Sequence, residues 1–142
     1  MKLSTLLAPL ALIPSIYAVK TTYDTVYENP KGSLATVACS NGDNGLLTRG
    51  FTTFGSLPSF PRIGGAPAVT GWNSPGCGTC WNLTYTNPQG VSKSVVITAI
   101  DVAIPNYNIA LSAMNELTNN QAVQFGIVPV TAAQVPASAC GL

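Results

Sequence analysis

The sequence predicts one mainly β domain, a barrel or a sandwich, carrying a single helix. Three observations predict it. Val95-Val96-Ile97-Thr98-Ala99-Ile100 is apolar on both faces, as a strand covered from both sides must be. Trp81-Asn82-Leu83-Thr84-Tyr85-Thr86 alternates large apolar with polar residues, the pattern of a strand with one buried face. Only the stretch from Asn108 to Leu117 places its apolar residues at helical spacing.

The 142 residues suit one domain. The first 18 read as a secretory signal: Lys2 supplies a positive start, Leu6 to Ile13 is apolar, Pro14 ends the run, and Ala18 is the last residue before cleavage. The apolar run is too short for a membrane anchor, which needs ~20 such residues. The expected organisation is therefore a signal peptide, 1–18, and an exported domain, 19–142.

Within that domain, Val19 to Glu28 opens with a run rich in strand formers, Thr21 to Tyr27. Asn29-Pro30-Lys31-Gly32 is a turn, Leu34 to Cys39 a short strand or extended approach, and Ser40-Asn41-Gly42-Asp43-Asn44-Gly45 a second turn cluster. Gly50 to Gly65 is irregular but apolar, tethered by Phe51, Phe54 and Phe60. Gly71-Trp72-Asn73-Ser74-Pro75-Gly76-Cys77-Gly78-Thr79-Cys80-Trp81 is a tight loop that feeds the Trp81 strand. Asn87-Pro88-Gln89-Gly90 then joins that strand to Val91–Asp101 as a hairpin. Asn108 is the expected cap of the helix and Asn119-Asn120 its stop. Met114 in that helix reads as core filling. Phe125 to Val135 reads as one or two strands, with Pro129 marking an edge or a break.

The four cysteines, Cys39, Cys77, Cys80 and Cys140, fit two disulfides in an exported chain. Three pairings are possible. A Cys77–Cys80 bridge leaves Cys39 with Cys140, whereas the other two choices tie the tight loop to both distant segments. A zinc or thioredoxin-type reading of Cys77-Gly-Thr-Cys80 would need reduced thiols, and no βαβ pattern surrounds it. No metal or cofactor is expected.

Charged residues make up 8% of the chain, against ~25% in an average domain. With no basic cluster, nucleic acid and anionic membranes are poor partners. Thr, Ser, Asn and Gly supply the polar surface, which suits a neutral polysaccharide. The absence of histidine removes Ser-His-Asp and Cys-His catalysis. Five carboxylates fall outside the signal segment: Asp24, Glu28, Asp43, Asp101 and Glu116. Asp101 closes the most apolar strand in phase with Val95, Ile97 and Ala99, which puts it at the rim of whatever that face encloses. It reads as a residue that hydrogen-bonds sugar; the alternatives are a structural strand-end residue and a catalytic acid. Glycoside hydrolysis normally takes two carboxylates, and no second one is placed beside it by the sequence. Asn82-Leu83-Thr84 is a sequon, with Asn82 on the face opposite Trp81 and Leu83.

Together these stretches resemble the cerato-platanin family of small proteins secreted by filamentous fungi. The resemblance rests on Tyr23-Asp24, Val37 to Leu46, Phe54-Gly55 with Phe60-Pro61, Ile63-Gly64-Gly65 and the whole of Gly71 to Trp81, followed in order by Asp101, the Asn108 helix and Cys140. It implies a six-stranded double-psi β-barrel with short helices, similar to expansin N-terminal domains, and the pairings Cys39–Cys77 and Cys80–Cys140. It also implies proteins that bind chitin oligosaccharides, loosen cellulose without hydrolysing it and trigger plant defence, some of them allergens. Asp101 falls where related barrels keep a catalytic Asp. The sequence departs from the family at Val102 to Asn108, where bulkier residues replace glycines and narrow the expected groove.

The resulting expectation is a secreted, non-enzymatic carbohydrate-binding protein with expansin-like action. Its partners would be chitin or another neutral polysaccharide and a plant immune receptor; it would be a monomer able to assemble at interfaces. The rivals are a glycosidase or lytic transglycosylase using Asp101, and a surface-active coat or signalling protein.

Overall fold

The structure is a computed structural model that describes residues 15–142. The expected signal segment lies outside the described residues except for Ser15 to Ala18, the last three of which open the first strand. Six strands close into one barrel: β1 (Ile16–Asp24), β2 (Ile63–Ala66), β3 (Cys80–Thr86), β4 (Ser92–Val102), β5 (Tyr107–Ala110) and β6 (Ile127–Val135). Their order around the barrel is β1-β5-β2-β4-β3-β6. The β1/β5 and β2/β4 pairs are parallel and the remaining four are antiparallel, the mixed pairing of the double-psi barrel that the family resemblance implies.

The hairpin forms where the turn chemistry places it. Trp81 pairs with Ile97, Leu83 with Val95 and Thr86 with Ser92. The Gly90 N–H donates to the Asn87 carbonyl at 2.9 Å, and Gly90 has a φ of 80°, a left-handed conformation that glycine adopts without a Cβ clash. Leu83, Ile97, Ile109 and Ala132 are fully buried in the core. β6 is one unbroken strand. Pro129 interrupts nothing, because β3 pairs only with residues 131–135 of β6, so the Pro129 region is flanked by β1 alone.

Several local expectations are corrected. β1 stops at Asp24, and Thr25–Glu28 is a 3-10 turn whose Val26 N–H is capped by the Asp24 carboxylate at 3.0 Å. Leu34–Thr36 is likewise a 3-10 turn, capped by Ser33, and not a strand. β2 lies inside a stretch that reads as irregular. Its two central residues are glycines of low strand propensity, yet a Cβ on Gly64 would stand 2.5 Å from the Asn108 carbonyl oxygen. The close passage of β2 past β5 requires glycine.

Asn108 does not cap the helix. It sits in β5, where its side-chain carbonyl accepts from the Thr22 hydroxyl at 2.9 Å. Ile109 and Ala110 are apolar at a spacing that suits either a helix or a buried strand, and a run this short does not separate the two. The helix, α1 (Leu111–Thr118), starts at Ala110 with no side-chain cap of its own. The Glu28 carboxylate, 84 residues away in sequence, accepts the Ser112 N–H instead, so a tertiary contact does the work of a local cap. The stop is where the sequence puts it: Asn119 adopts a φ of 55° at the C-cap. Met114 is fully buried. A one-turn helix, α2 (Ala122–Phe125), links α1 to β6.

Both disulfides join the tight loop to a distant segment, Cys39 to Cys77 and Cys80 to Cys140. Asn82 lies on the outer face of β3, half-exposed, between buried Trp81 and Leu83.

Candidate functional site

The site is assembled from two loops and the end of β4. The register of β4 against β2 slips at this end: Gly64 pairs with Ala99, but Gly65 pairs with Asp101, leaving Ile100 as the extra residue of a bulge. The bulge breaks the strict alternation that puts Asp101 in phase with Ala99. Ala99 and Ile100 are both fully buried, while Asp101 emerges half-exposed. The Ile100 carbonyl accepts the Cys39 N–H at 3.1 Å, which docks the 38–45 loop on the bulge.

Asp101 is tied to that loop. Its Oδ1 accepts the Ala38 N–H at 3.0 Å and its own neighbour's, Val102, at 2.9 Å. Its Oδ2 accepts the Tyr27 hydroxyl at 3.3 Å. A carboxylate offers about four acceptor positions, so three are occupied and one, on Oδ2, is free. Three of the remaining carboxylates are engaged in contacts of their own: Asp24 caps the 3-10 turn, Glu28 caps α1, and Glu116 pairs with Arg62 at 2.9 Å. Asp43 is an exposed turn residue. Among the described residues, no group of three or more His, Cys, Asp or Glu is placed to hold a metal.

Tyr27 is the partner that sequence reasoning missed, because its run reads as strand and gives no reason to turn it toward β4. The tyrosine is 5% exposed and rests against Phe54. Burial, then the Asp101 carboxylate and more weakly Asp24, hold its hydroxyl well above the ordinary tyrosine range. Tyr107, buried beside Trp81, is raised chiefly by that burial. The sign of the consequence follows from linkage. A pKa raised in the folded state means that the folded protein binds the proton more tightly than the unfolded chain, so stability is intact below the unfolded value of ~10 and is lost above it. Two such tyrosines together steepen the alkaline loss of stability beyond that point. Alkaline titration followed at the phenolate absorbance should therefore show two tyrosines ionising late, together with unfolding. A Tyr27→Phe/Tyr107→Phe variant should lose this extra steepness; an unchanged alkaline transition would refute the assignment.

Beyond Asp101, the 38–45 loop meets the tight loop. The Asn44 N–H donates to the Asn73 side-chain carbonyl at 2.9 Å, and the Asn44 amide donates to the Asn73 backbone carbonyl at 3.0 Å. Arg49 straps both loops by donating to the carbonyls of Cys77 and Asn44 at 3.0 and 3.2 Å. On this base stands Trp72, 63% exposed, with its indole N–H donating to the Asn41 side-chain carbonyl at 2.6 Å. The ring is thus held by its polar edge while its apolar surface faces water. Its signal in the sequence is a tryptophan inside a Gly/Asn/Ser/Pro turn, outside any strand alternation that would bury it. The half-exposed Asp101 and the pinned Trp72 both lean on the 38–45 loop, which the Cys39–Cys77 bridge fixes to the tight loop.

A closed six-stranded mixed barrel with two disulfides that follow one another along the chain and an amide- and aromatic-bearing loop surface defines a class of small disulfide-bonded β-barrel protein. Comparison with known families matches the cerato-platanin profile over residues 19–142. The chain belongs to the cerato-platanin family. It is 48% identical over 122 residues to the allergen Asp f 15 of Aspergillus fumigatus, covering 86% of this chain and 76% of that protein. Its fold superposes on the crystal structure of cerato-platanin 2 from M. perniciosa with a TM-score of 0.84 and 48% identity, covering 89% of this chain and 100% of that one. It also superposes on the solution structure of the fungal elicitor cerato-platanin with a TM-score of 0.74 and 38% identity, covering 86% of this chain and 96% of that one.

Proposed function

We propose that this protein is a secreted, non-enzymatic binder of neutral cell-wall polysaccharide, with chitin oligosaccharides as ligand, that loosens wall polymers as expansins do and elicits plant defence. Elicitation comes from its likeness to the fungal elicitor cerato-platanin. The observation that carries sugar binding is Trp72. Leaving a large apolar ring in water forgoes burial worth about 1.5–3 kcal/mol, and its N–H clamp to Asn41 holds it there as a flat platform. The apolar face of a pyranose stacks on such a ring, while Asn73, Asn44 and the free position on Asp101 Oδ2 offer bonds to its hydroxyls. In the proposed action, hydrogen bonds between polysaccharide chains are exchanged for bonds to these groups, and no covalent bond breaks.

The non-enzymatic reading is supported by chemistry. Asp101 is held as an acceptor by two backbone N–H groups and a tyrosine, while Asp24, Glu28 and Glu116 are engaged in contacts of their own; glycoside hydrolysis normally requires a pair of carboxylates free to act together. Export is supported by the two disulfides. Calorimetric titration with chitohexaose and cellohexaose tests the proposal: Trp72→Ala should weaken binding at least tenfold, about 1.4 kcal/mol, with the melting temperature nearly unchanged. Equal affinity in wild type and variant would move the site elsewhere. Soluble fragments that disappear with Asp101→Ala would replace this reading with a glycosidase or lytic transglycosylase. Adsorption at an air–water interface without sugar affinity would replace it with a surface-active coat protein.

A further inference from the structure

A second recess lies far from Asp101, where the turn of the β3–β4 hairpin faces the junction of α1 and α2. It is a cleft of about 380 Å³ whose lining includes Tyr85, Gln89, Lys93, Asn119, Gln121 and Phe125. Lys93 and Asp101 lie at opposite ends of β4, eight residues apart, which at ~3.3 Å per residue is about 26 Å. Leu117 and Thr118 are buried beneath the cleft. Thr118 is self-satisfied: its hydroxyl donates to the Met114 carbonyl at 2.8 Å and accepts the Gln121 N–H at 3.2 Å. Thr118 therefore leaves no unmet polar demand in the floor.

The walls differ. Gln89, Asn119 and Gln121 are exposed, and among the described residues their side-chain amides take no part in the protein's hydrogen bonds. Asn87 uses only its carbonyl oxygen, which accepts the Gln89 and Val91 N–H groups at 3.0 and 2.9 Å, so its NH2 is free as well. Three uncommitted amide groups and the free NH2 of Asn87 thus converge beside two aromatic residues, Tyr85 and the 39%-exposed Phe125. Among the described residues no carboxylate lines the cleft and Lys93 is its one charge, which disfavours a cationic ligand. An amide both donates and accepts, which matches adjacent hydroxyl or acetamido groups on a neutral ring, and the volume falls in the lower range for small-molecule sites.

We propose that this cleft is a second binding site for a neutral oligosaccharide, separate from the Trp72–Asp101 surface, so that one barrel holds sugar at both ends. The inference rests on the carbohydrate-binding reading above and extends it to this end of the fold. A molecule with two such sites bridges two polysaccharide chains, and binding at the second site benefits from the high local concentration set by the first.

The test is a titration of 15N-labelled, disulfide-intact protein with chitohexaose, and in parallel cellohexaose, followed by backbone amide shifts. Two groups of shifts are expected, one at Asn41, Trp72 and Asn73 and one at Gln89, Val91, Asn119 and Gln121. The double variant Gln89→Ala/Gln121→Ala, both changes on exposed side chains, should weaken the second response at least tenfold and leave the first unchanged. Shifts confined to the Trp72 group would overturn the second site and leave the function proposed above standing. Shifts in neither group, with either sugar, would overturn both.

Discussion

Replacing Cys80 and Cys140 together by alanine is expected to remove about 4 kcal/mol of stability. The bridge closes 60 residues. In the chain-entropy account, constraining a loop of that length in the unfolded chain contributes roughly that amount. For a domain whose whole stability is of order 5–15 kcal/mol, the loss is close to decisive. Both sulfurs are buried, and the bond fastens the last 3-10 turn, Ala137–Cys140, to the start of β3. The Cys39–Cys77 bridge closes 38 residues and should contribute almost as much, because the dependence on loop length is logarithmic. The two variants should differ in function. Cys39–Cys77 joins the loops that carry Asn41 and Trp72, so its loss should weaken sugar binding even in the fraction that stays folded. Loss of Cys80–Cys140 should leave the affinity of the folded fraction intact. Urea denaturation measures the first effect and calorimetric titration the second. A loss below about 1 kcal/mol for Cys80→Ala/Cys140→Ala would mean that the barrel is closed by its strands alone.

Asp101→Ala is expected to destabilise the protein by about 3 kcal/mol, lowering the melting temperature by about 10 °C. The change strands three donors at once: the Ala38 N–H, the Val102 N–H and the Tyr27 hydroxyl. Hydrogen bonds to a charged group contribute about 1.5–3 kcal/mol each when buried; partial exposure here lets water recover a share. A loss of that size in a domain this large corresponds to roughly the stated shift. Asp101→Asn separates scaffold from ligand contact. The amide keeps a carbonyl oxygen for the two backbone donors, and the Tyr27 hydroxyl can rotate to meet the new NH2. That variant should melt within a few degrees of wild type while binding sugar several-fold more weakly through the lost charge. Thermal unfolding of the two variants beside chitohexaose titration decides the matter. If Asp101→Asn binds normally and Asp101→Ala alone unfolds early, Asp101 holds the 38–45 loop and touches no ligand.

The free rim carboxylate suggested by alternation along Val95 to Asp101 turned out to be mostly occupied. One bulged residue, Ile100, changed its phase, and two partners from the first third of the chain, Tyr27 and Ala38, reached it. A bulge is selected by how β2 and β4 must coil against each other, which no pattern within β4 records.

The sequence by itself determined the hairpin from Trp81 to Asp101, the helix stop at Asn119, the placing of Met114 in the core and the kinship that implies a barrel. Each is encoded within a few residues: by alternation, by turn chemistry, by a left-handed asparagine, or by a long motif. Only the tertiary structure decided the start of α1, capped by Glu28 rather than Asn108; the strand at Ile63–Ala66, made of glycines that a close neighbour requires; and the gathering of Trp72 with Asn41 and of Gln89 with Gln121. Those features depend on groups brought together from distant parts of the chain, and local propensity carries no term for a partner that only the closed barrel supplies.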